Sequence, residues 1–591
     1  MSRWLNGRVL VLLASVLIVA TACTAGTTTP SPSASSATSA SAAPVAQRGE
    51  GGELKLLFTQ GPTILNPHLA QGSKDHDASR PVLEPLAVMG PDGKPEARLA
   101  AEVPTRANGG VALDGTSVTW KLKQGVKWSD GTGFTADDVV FTYQLMANPA
   151  VAATTAQTVG NVASVTATDQ YTIVVKYKQA TADPYQWGIG SYGAILQKAQ
   201  FKDFNGANIK DAPGNQRPIG TGPYKVKDFK PNDIVLYEIN DQYRDKDKPY
   251  FKTVQIKTVN DSATAARGTC ETGDADYGWS LQLPVDQLQT FLKTGKCNLL
   301  AIPGSSIEQI NFQYTNPDPA LGDKRAEPGQ PHPFLIDLNV RKALAMTINR
   351  TLLAEQVWGN GITGSATCNV ITQPPDITSQ NTKNMDVCKY DPAAAAKLLD
   401  SAGWVKGSDG IRAKNGVKMS VVFQTTVSAT RQIVQQVIKK DWEALGVKVE
   451  LKAVPSGVFF SSDAANPDTW SKFWADVQEY GGGYSSPDPQ VYLSTWTTSE
   501  IKTRADGWRG KNANRYSNPE YDALYGQLVK ELDPAKRRDL VIKLNDHLVQ
   551  NVVLVPLVAN QRPISTRVTA LKGPVENVWE GDLWNIADWR K

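Results

Sequence analysis

Residues 117–123 alternate, with Val118, Trp120 and Leu122 apolar against Thr119, Lys121 and Lys123. That period of two predicts a half-buried strand. Ser129-Asp130-Gly131 then marks a turn, because Asp bonds its own backbone and Gly tolerates positive φ. Thr135, with Asp138 three residues on, predicts a capped helix presenting Val139, Val140, Tyr143 and Met146 on one face. Strands are predicted at 53–59, 172–178, 234–239 and 254–259. Residues 339–357 read as one helix with Val340, Ala343, Leu344, Ile348, Leu352 and Val357 near one face. Further on, 421–424, 431–445 and 447–451 read as strand, helix and strand, the helix burying Ile433, Val434, Val437, Ile438 and Trp442. Pro392 and Pro534, each following an Asp, open two more helices. Residues 553–558 form a buried strand interrupted by Pro556. Strands alternating with helices make the chain α/β.

The N-terminus changes the picture. Arg3 and Arg8 precede an apolar run over 9–20, too short for a comfortable membrane span and laid out like a secretory signal. It ends Ala20-Thr21-Ala22-Cys23, which resembles a bacterial lipoprotein processing site with Cys23 as the lipid-bearing residue. Residues 24–47 are almost wholly Thr, Ser, Ala and Pro, a composition that cannot bury enough apolar surface to order itself. Beside an anchor it reads as a tether. The rest exceeds one typical domain, so two or three lobes are expected. Charge adds little: 62 Lys and Arg face 58 Asp and Glu, which gives no reason to expect a nucleic-acid partner. Cys270, Cys297, Cys368 and Cys388 predict two disulfides in an exported protein. Three pairings are possible, and closeness in sequence favours Cys270 with Cys297 and Cys368 with Cys388. No Cys-x-x-Cys occurs and the four His are scattered, so neither metal nor cofactor is expected.

Residues 125–143, GVKWSDGTGFTADDVVFTY, closely resemble the family 5 solute-binding proteins of ABC importers, the oligopeptide- and dipeptide-binding class. Matching segments lie at 61–70 (GPTILNPHLA), 218–224 (PIGTGPY), 273–276 (GDAD) and 339–350 (NVRKALAMTINR). The resemblance covers about residues 50–591. It implies a periplasmic-binding-protein fold of type II, cluster C, with two main lobes, a hinge and an inserted extra lobe. The implied division is signal 1–22, anchor and linker 23–48, lobe I at 49–95, 215–305 and 556–591, lobe II at 96–214, and lobe III at 306–555. The hinge would be two chain crossings near 303–310 and 553–560. The implied partners are a small solute, permease subunits and cytoplasmic ATPases. A monomer held outside the cytoplasmic membrane by its lipid is expected.

Many members of this family hold a peptide's amino terminus with an Asp in a GWxxDYxDP segment. Here the corresponding residues 479–489 read EYGGGYSSPDP. Tyr480 takes the Trp place, Tyr484 the Tyr place and Asp488 the last Asp, but the ammonium-binding Asp falls on Gly483. A buried ammonium without a counter-charge costs several kcal/mol. Either Glu479 or Asp488 serves instead, or the amino end lies elsewhere, or the ligand is no free-amine peptide. Tyr480, Tyr484 and Trp474 suit a sugar ring or an apolar side chain, and equally suit core packing. Position in matching motifs adds Asn66, His68, Tyr277, Trp279, Gln309 and Phe312 as candidate ligand residues.

Residues 188–193 spell GxGxxG, but Asp183-Pro184 precedes them where a dinucleotide loop needs a buried strand. Helix capping explains Asp137 and Asp138 better than acid–base chemistry does. No GxSxG, P-loop, HExxH or EF-hand pattern occurs, so no enzyme is expected. An oligosaccharide receptor or an envelope scaffold on the same fold are the competing readings.

Overall fold

The structure, a computed structural model, describes residues 47–591 except 71, 461–465, 506 and 509. The expected signal at 1–22, Cys23 and the linker up to residue 46 lie outside the described residues.

One eleven-stranded sheet runs through the molecule. Its order is Lys448–Val454, Ser420–Thr426, Val477–Gly483, Cys297–Phe312, Leu554–Val568, Tyr277–Trp279, Glu53–Phe58, Thr253–Thr258, Ile234–Ile239 and Tyr224–Lys230. Gly364–Ala366 pairs on Leu554–Val568 as well. Residues 553–558 therefore belong to a much longer strand than the apolar run predicts, because Pro556 sits in the ladder opposite Gln309 without ending it. Ile307, Ile310, Phe312, Val555 and Leu557 pack into one core with Leu344, Val434, Trp442 and Leu544. Leu300, on the same strand as Ile307, packs into a second core with Leu54, Tyr237 and Trp589. A third core, with Trp120, Val139, Ile173 and Val175, lies on a separate sheet of Ser117–Lys121, Thr172–Tyr177 and Val162–Asp169.

Thr135 and Asp138 form the predicted capping box on the helix Ala136–Ala147. Its buried face is wider than the expected stripe. Val139 and Met146 enter the third core, whereas Phe141 and Leu145 enter the second. Val140 and Tyr143 are only half-buried. A helix wedged between two cores buries two stripes, and single-face periodicity finds one.

The region 339–357 is two helices, Leu338–Met346 and Arg350–Trp358. Asn349 caps the second by accepting from Leu352 N–H, the ordinary role of Asn at that position. The break rotates the register, so Leu352 points to solvent. On Ala429–Leu445, Val434, Ile438 and Trp442 are buried while Ile433 is exposed. Gly446 ends that helix at φ +107°, where a left-handed residue is needed.

Two disulfides, Cys270–Cys297 and Cys368–Cys388, close loops of 27 and 20 residues. In the 218–224 segment the glycines serve close approach rather than a left-handed turn. Gly222 N–H donates to Val82 O at 2.9 Å and Tyr224 N–H to Pro81 O at 3.0 Å. A Cβ on Gly220 would lie 1.9 Å from Val82 O, which only a backbone shift relieves. Gly220→Ala should cost about 1–3 kcal/mol of overpacking, read as a lower urea midpoint at unchanged m-value.

Candidate functional site

The strand Val477–Gly483 holds the most unusual backbone. On one side it pairs antiparallel with Cys297–Phe312 along its whole length, from Val477↔Phe312 to Gly483↔Ser306. On the other it pairs with Ser420–Thr426 only at Phe423↔Val477 and Gln424↔Gln478. Ser420–Thr426 then stays with Lys448–Val454 to Thr426↔Val454. The two strands splay, and the edge of residues 480–483 has no strand partner among the described residues. Gly481 and Gly483 are exposed. Three of its residues, Gly481 to Gly483, carry no side chain of their own, so the edge can accept an added strand.

The two faces beside this edge differ in chemistry. Glu308, Ile310 and Phe312 share a face with their partners Gly481, Glu479 and Val477, since opposite residues point the same way. Here Arg431 grips Glu308 through Nε–Oε1 at 2.7 Å and Nη2–Oε2 at 3.3 Å. Glu479 is fully buried, and neither carboxylate oxygen is hydrogen-bonded among the described residues. Burial first, and then Glu308, pushes Glu479 well above the usual carboxylate range, while Arg431 opposes the shift. The other face carries Gln309, Asn311, Gln478 and Tyr480. The Tyr480 ring lies 5.8 Å from Trp470 and 5.9 Å from Phe459. Trp474 sits between the Arg325 guanidinium and the Lys472 ammonium, each 4.7 Å from its ring. It borders a cavity of about 300 Å³ with Gln424, Lys452 and Asp468.

Gly483 has no room for the side chain its position implies. A Cβ there would lie 2.6 Å from Ser306 Cβ and 3.0 Å from Ser305 O. The neighbouring strand fills the space that an Asp would need. Tyr484 is held by the 372–373 loop: its hydroxyl accepts from Thr372 N–H at 3.1 Å and Gln373 N–H at 2.8 Å, and donates to Gln373 O. Asp488 is committed to Arg537 Nε at 2.6 Å and to Gln490 N–H at 2.9 Å.

The remaining candidates are spent inside the fold. Asn66 donates to Asn215 Oδ1 at 2.9 Å and accepts from His68 N–H. His68 bridges Thr155 Oγ1 and Ala194 O, each at 2.8 Å, and burial lowers it to about 4. Phe312 lies in the core against Trp442. Trp279 stacks on Phe58 at 4.5 Å and donates to Asp77 Oδ2 at 2.7 Å. Tyr277 donates to Asp582 Oδ2 at 2.7 Å. These six therefore divide: Gln309 lies beside the open edge, and the other five fix loops and cores. Among the described residues no set of three or more His, Cys, Asp or Glu gathers as metal ligands. No helix there is long and apolar enough to cross a membrane.

Glu308, Asn311, Arg431 and Gln478, which flank the open edge, escape motif reading. A signal exists for one of them: Gln309, Asn311 and Gln313 alternate in a segment otherwise apolar enough to be buried.

A family model for bacterial extracellular solute-binding proteins, family 5 Middle, matches residues 94–504. The oligopeptide-binding protein AppA of Bacillus subtilis is 26% identical over 481 residues, covering 80% of each chain. The glutathione-binding protein GsiB of Shigella flexneri is 24% identical over 453 residues, covering 76% of this chain and 79% of that one. Among solved structures, B. subtilis AppA with a nonapeptide superposes at TM-score 0.72, 23% identity, and 92% and 99% coverage of this chain and that one. NikZ of Campylobacter jejuni with Ni(L-His) superposes at 0.73, 21% identity, and 91% and 99% coverage. The fold is thus that of the type II periplasmic binding proteins.

Two outcomes follow from the geometry. Gly483→Asp should leave affinity for free-amine ligands no higher by calorimetry, because the added side chain must displace Ser306. The Asp77–Asp582 pair sets a pH dependence. Burial, and then Asp582, raises Asp77 from 3.8 to about 8. The native state then keeps a proton that the unfolded chain has released, so this group lowers stability as pH rises from about 4 to about 8. Asp77→Asn should flatten that part of the decline in the denaturation midpoint.

Proposed function

Because this chain belongs to the bacterial extracellular solute-binding proteins of family 5, we propose that its solute is a peptide laid in extended form along the edge of Val477–Gly483. The observation that carries the reading is the splay after Gln424↔Gln478, which leaves a glycine strand edge open. Main-chain pairing there supplies affinity that side-chain sequence does not dictate. The names of the relatives, oligopeptide-binding AppA and OppA and glutathione-binding GsiB, point the same way. So does the nonapeptide held by the AppA structure.

The peptide's ammonium pairs with Glu479 in this reading. An arriving cation converts an unpaired buried acid into a paired carboxylate, the role that an Asp at 483 cannot fill. Ligand sits between lobe I (49–95, 215–305, 556–591) and lobe III (306–555), with lobe II (96–214) inserted, and passes to an ABC permease. Cys23 carries the lipid and the Ser/Thr/Ala/Pro linker spaces the lobes from the membrane. The protein acts as a monomeric binding component and does no chemistry on its cargo.

Thermal-shift titration tests the assignment with free peptides, their N-acetylated forms and oligosaccharides. Ligand at a hundredfold its Kd adds about 2.7 kcal/mol, so binding registers clearly. Free peptides should raise Tm, and N-acetylation should weaken the effect. Stabilisation by oligosaccharides alone would overturn the peptide reading. Equal response to acetylated and free peptides would remove Glu479 from it.

A further inference from the structure

We infer that the face bearing Gln309, Asn311 and Gln478 is a side-chain pocket for an uncharged hydrogen-bonding group, a carboxamide above all. The inference rests on the peptide reading of the adjacent edge. Two hydrogen-bonded runs lie on this face. Gln309 Nε2 donates to Asn311 Oδ1 at 3.0 Å. Gln478 Nε2 donates to Gln424 Oε1 at 2.9 Å, and Gln424 Nε2 to Asp468 O at 3.0 Å. Both runs stop short. Gln309 Oε1, Asn311 Nδ2, Gln478 Oε1 and Tyr492 OH are all buried with no hydrogen-bond partner among the described residues. Gln309 is 3% exposed, and Asn311 and Gln478 are fully buried. Buried polar atoms are paired in the large majority of cases. Three of these orphans lie on one sheet face, with Tyr492 OH beside Gln309 across Gly482, and they mark a place where something else completes the bonds.

The mouth is Gly482. A Cβ there would lie 3.0 Å from Tyr492 OH and 3.2 Å from Gln309 Oε1, so these two atoms reach the strand edge because residue 482 has no side chain. In an added strand, the residue opposite Gly482 or Tyr480 points to this same face. The row carries no formal charge. Lys452 and Asp468 at its far end neutralise each other. A charged group entering it would lose water without gaining a counter-ion. An apolar group would leave the four atoms unpaired. A carboxamide brings both a donor and an acceptor. It can accept from Asn311 Nδ2 while donating to the Gln309 or Gln478 oxygen.

The test uses the exported protein and tetra-alanine, with single Gln, Leu or Glu substitutions at each position, read by calorimetry. At one position Gln should bind about tenfold or more tighter than Leu and Glu, the cost of stranding buried polar groups. Asn311→Leu should collapse the Gln-to-Leu ratio toward one. Gly482→Ala, which narrows the mouth without touching the row's composition, should do the same if Asn311→Leu fails to fold. Peptides that bind with ratios near one at every position would mean that water fills the row, and overturn the inference while leaving the peptide reading intact. Preference for Leu or Glu would overturn it as well. If no tetrapeptide binds, the peptide reading falls and takes this pocket with it.

Discussion

The strands Cys297–Phe312 and Leu554–Val568 each take part in two hydrophobic cores, and the rest of the molecule is arranged by that sharing. Ile307, Ile310 and Phe312 face partners such as Trp442, while Leu300 on the same strand faces Leu54 and Trp589. A chain with two cores on common strands cannot move one against the other without bending those strands. The ladder between them is irregular at Leu300/Ile302, Pro303/Ile307 and Glu308/Gln309. Irregular pairing bends a strand locally and increases its twist. The irregularities cluster where one core gives way to the other. Gly304 lies within the same stretch, and a Cβ there would come within 2.7 Å of Asn560 O. Close approach of the two backbones is therefore part of the crossing itself.

The open edge depends on the same crossing. Beyond Gln478 the strand Val477–Gly483 pairs, among the described residues, with Cys297–Phe312 and no other strand, so its course follows the crossing strand beneath it. Side-chain loss at 481–483 has two effects. It bares the backbone, and it leaves the flanking strand positions as the near side chains, Glu308 on one face and Gln309 on the other. An acid at 483 would need the volume that Ser306 now fills. Gly483 cannot become Asp without moving Ser306.

Local chemistry was plain in the sequence wherever one element decides it. Thr135 and Asp138 announced their capping box, Gly446 its helix end, and the cysteine spacing its pairs. Five ordered motifs named the family. What escaped reading depends on two elements at once. Phe141 and Leu145 are buried because a second core lies behind their helix. Asn349 breaks an apolar stripe that otherwise runs on. The glycines at 220 and 222 look like turn residues until Val82 is found against them. The site follows the same division. Gly483 was visible as a departure, but the splay of Ser420–Thr426 from Val477–Gly483 has no sequence signature. His68, Trp279 and Phe312 sit in recognisable motifs because motifs record folding contacts as well as ligand contacts.

Trp589, two residues from the end of the chain, is fully buried in the core that also holds Leu54 and Leu56. Lys591 closes the tail with an ion pair to Asp276 at 2.5 Å. The core of the strand Glu53–Phe58 is therefore complete only once Trp589 is in place. Contacts of such long sequence separation form slowly. The same arrangement makes residues 589–591 a poor place for a truncation.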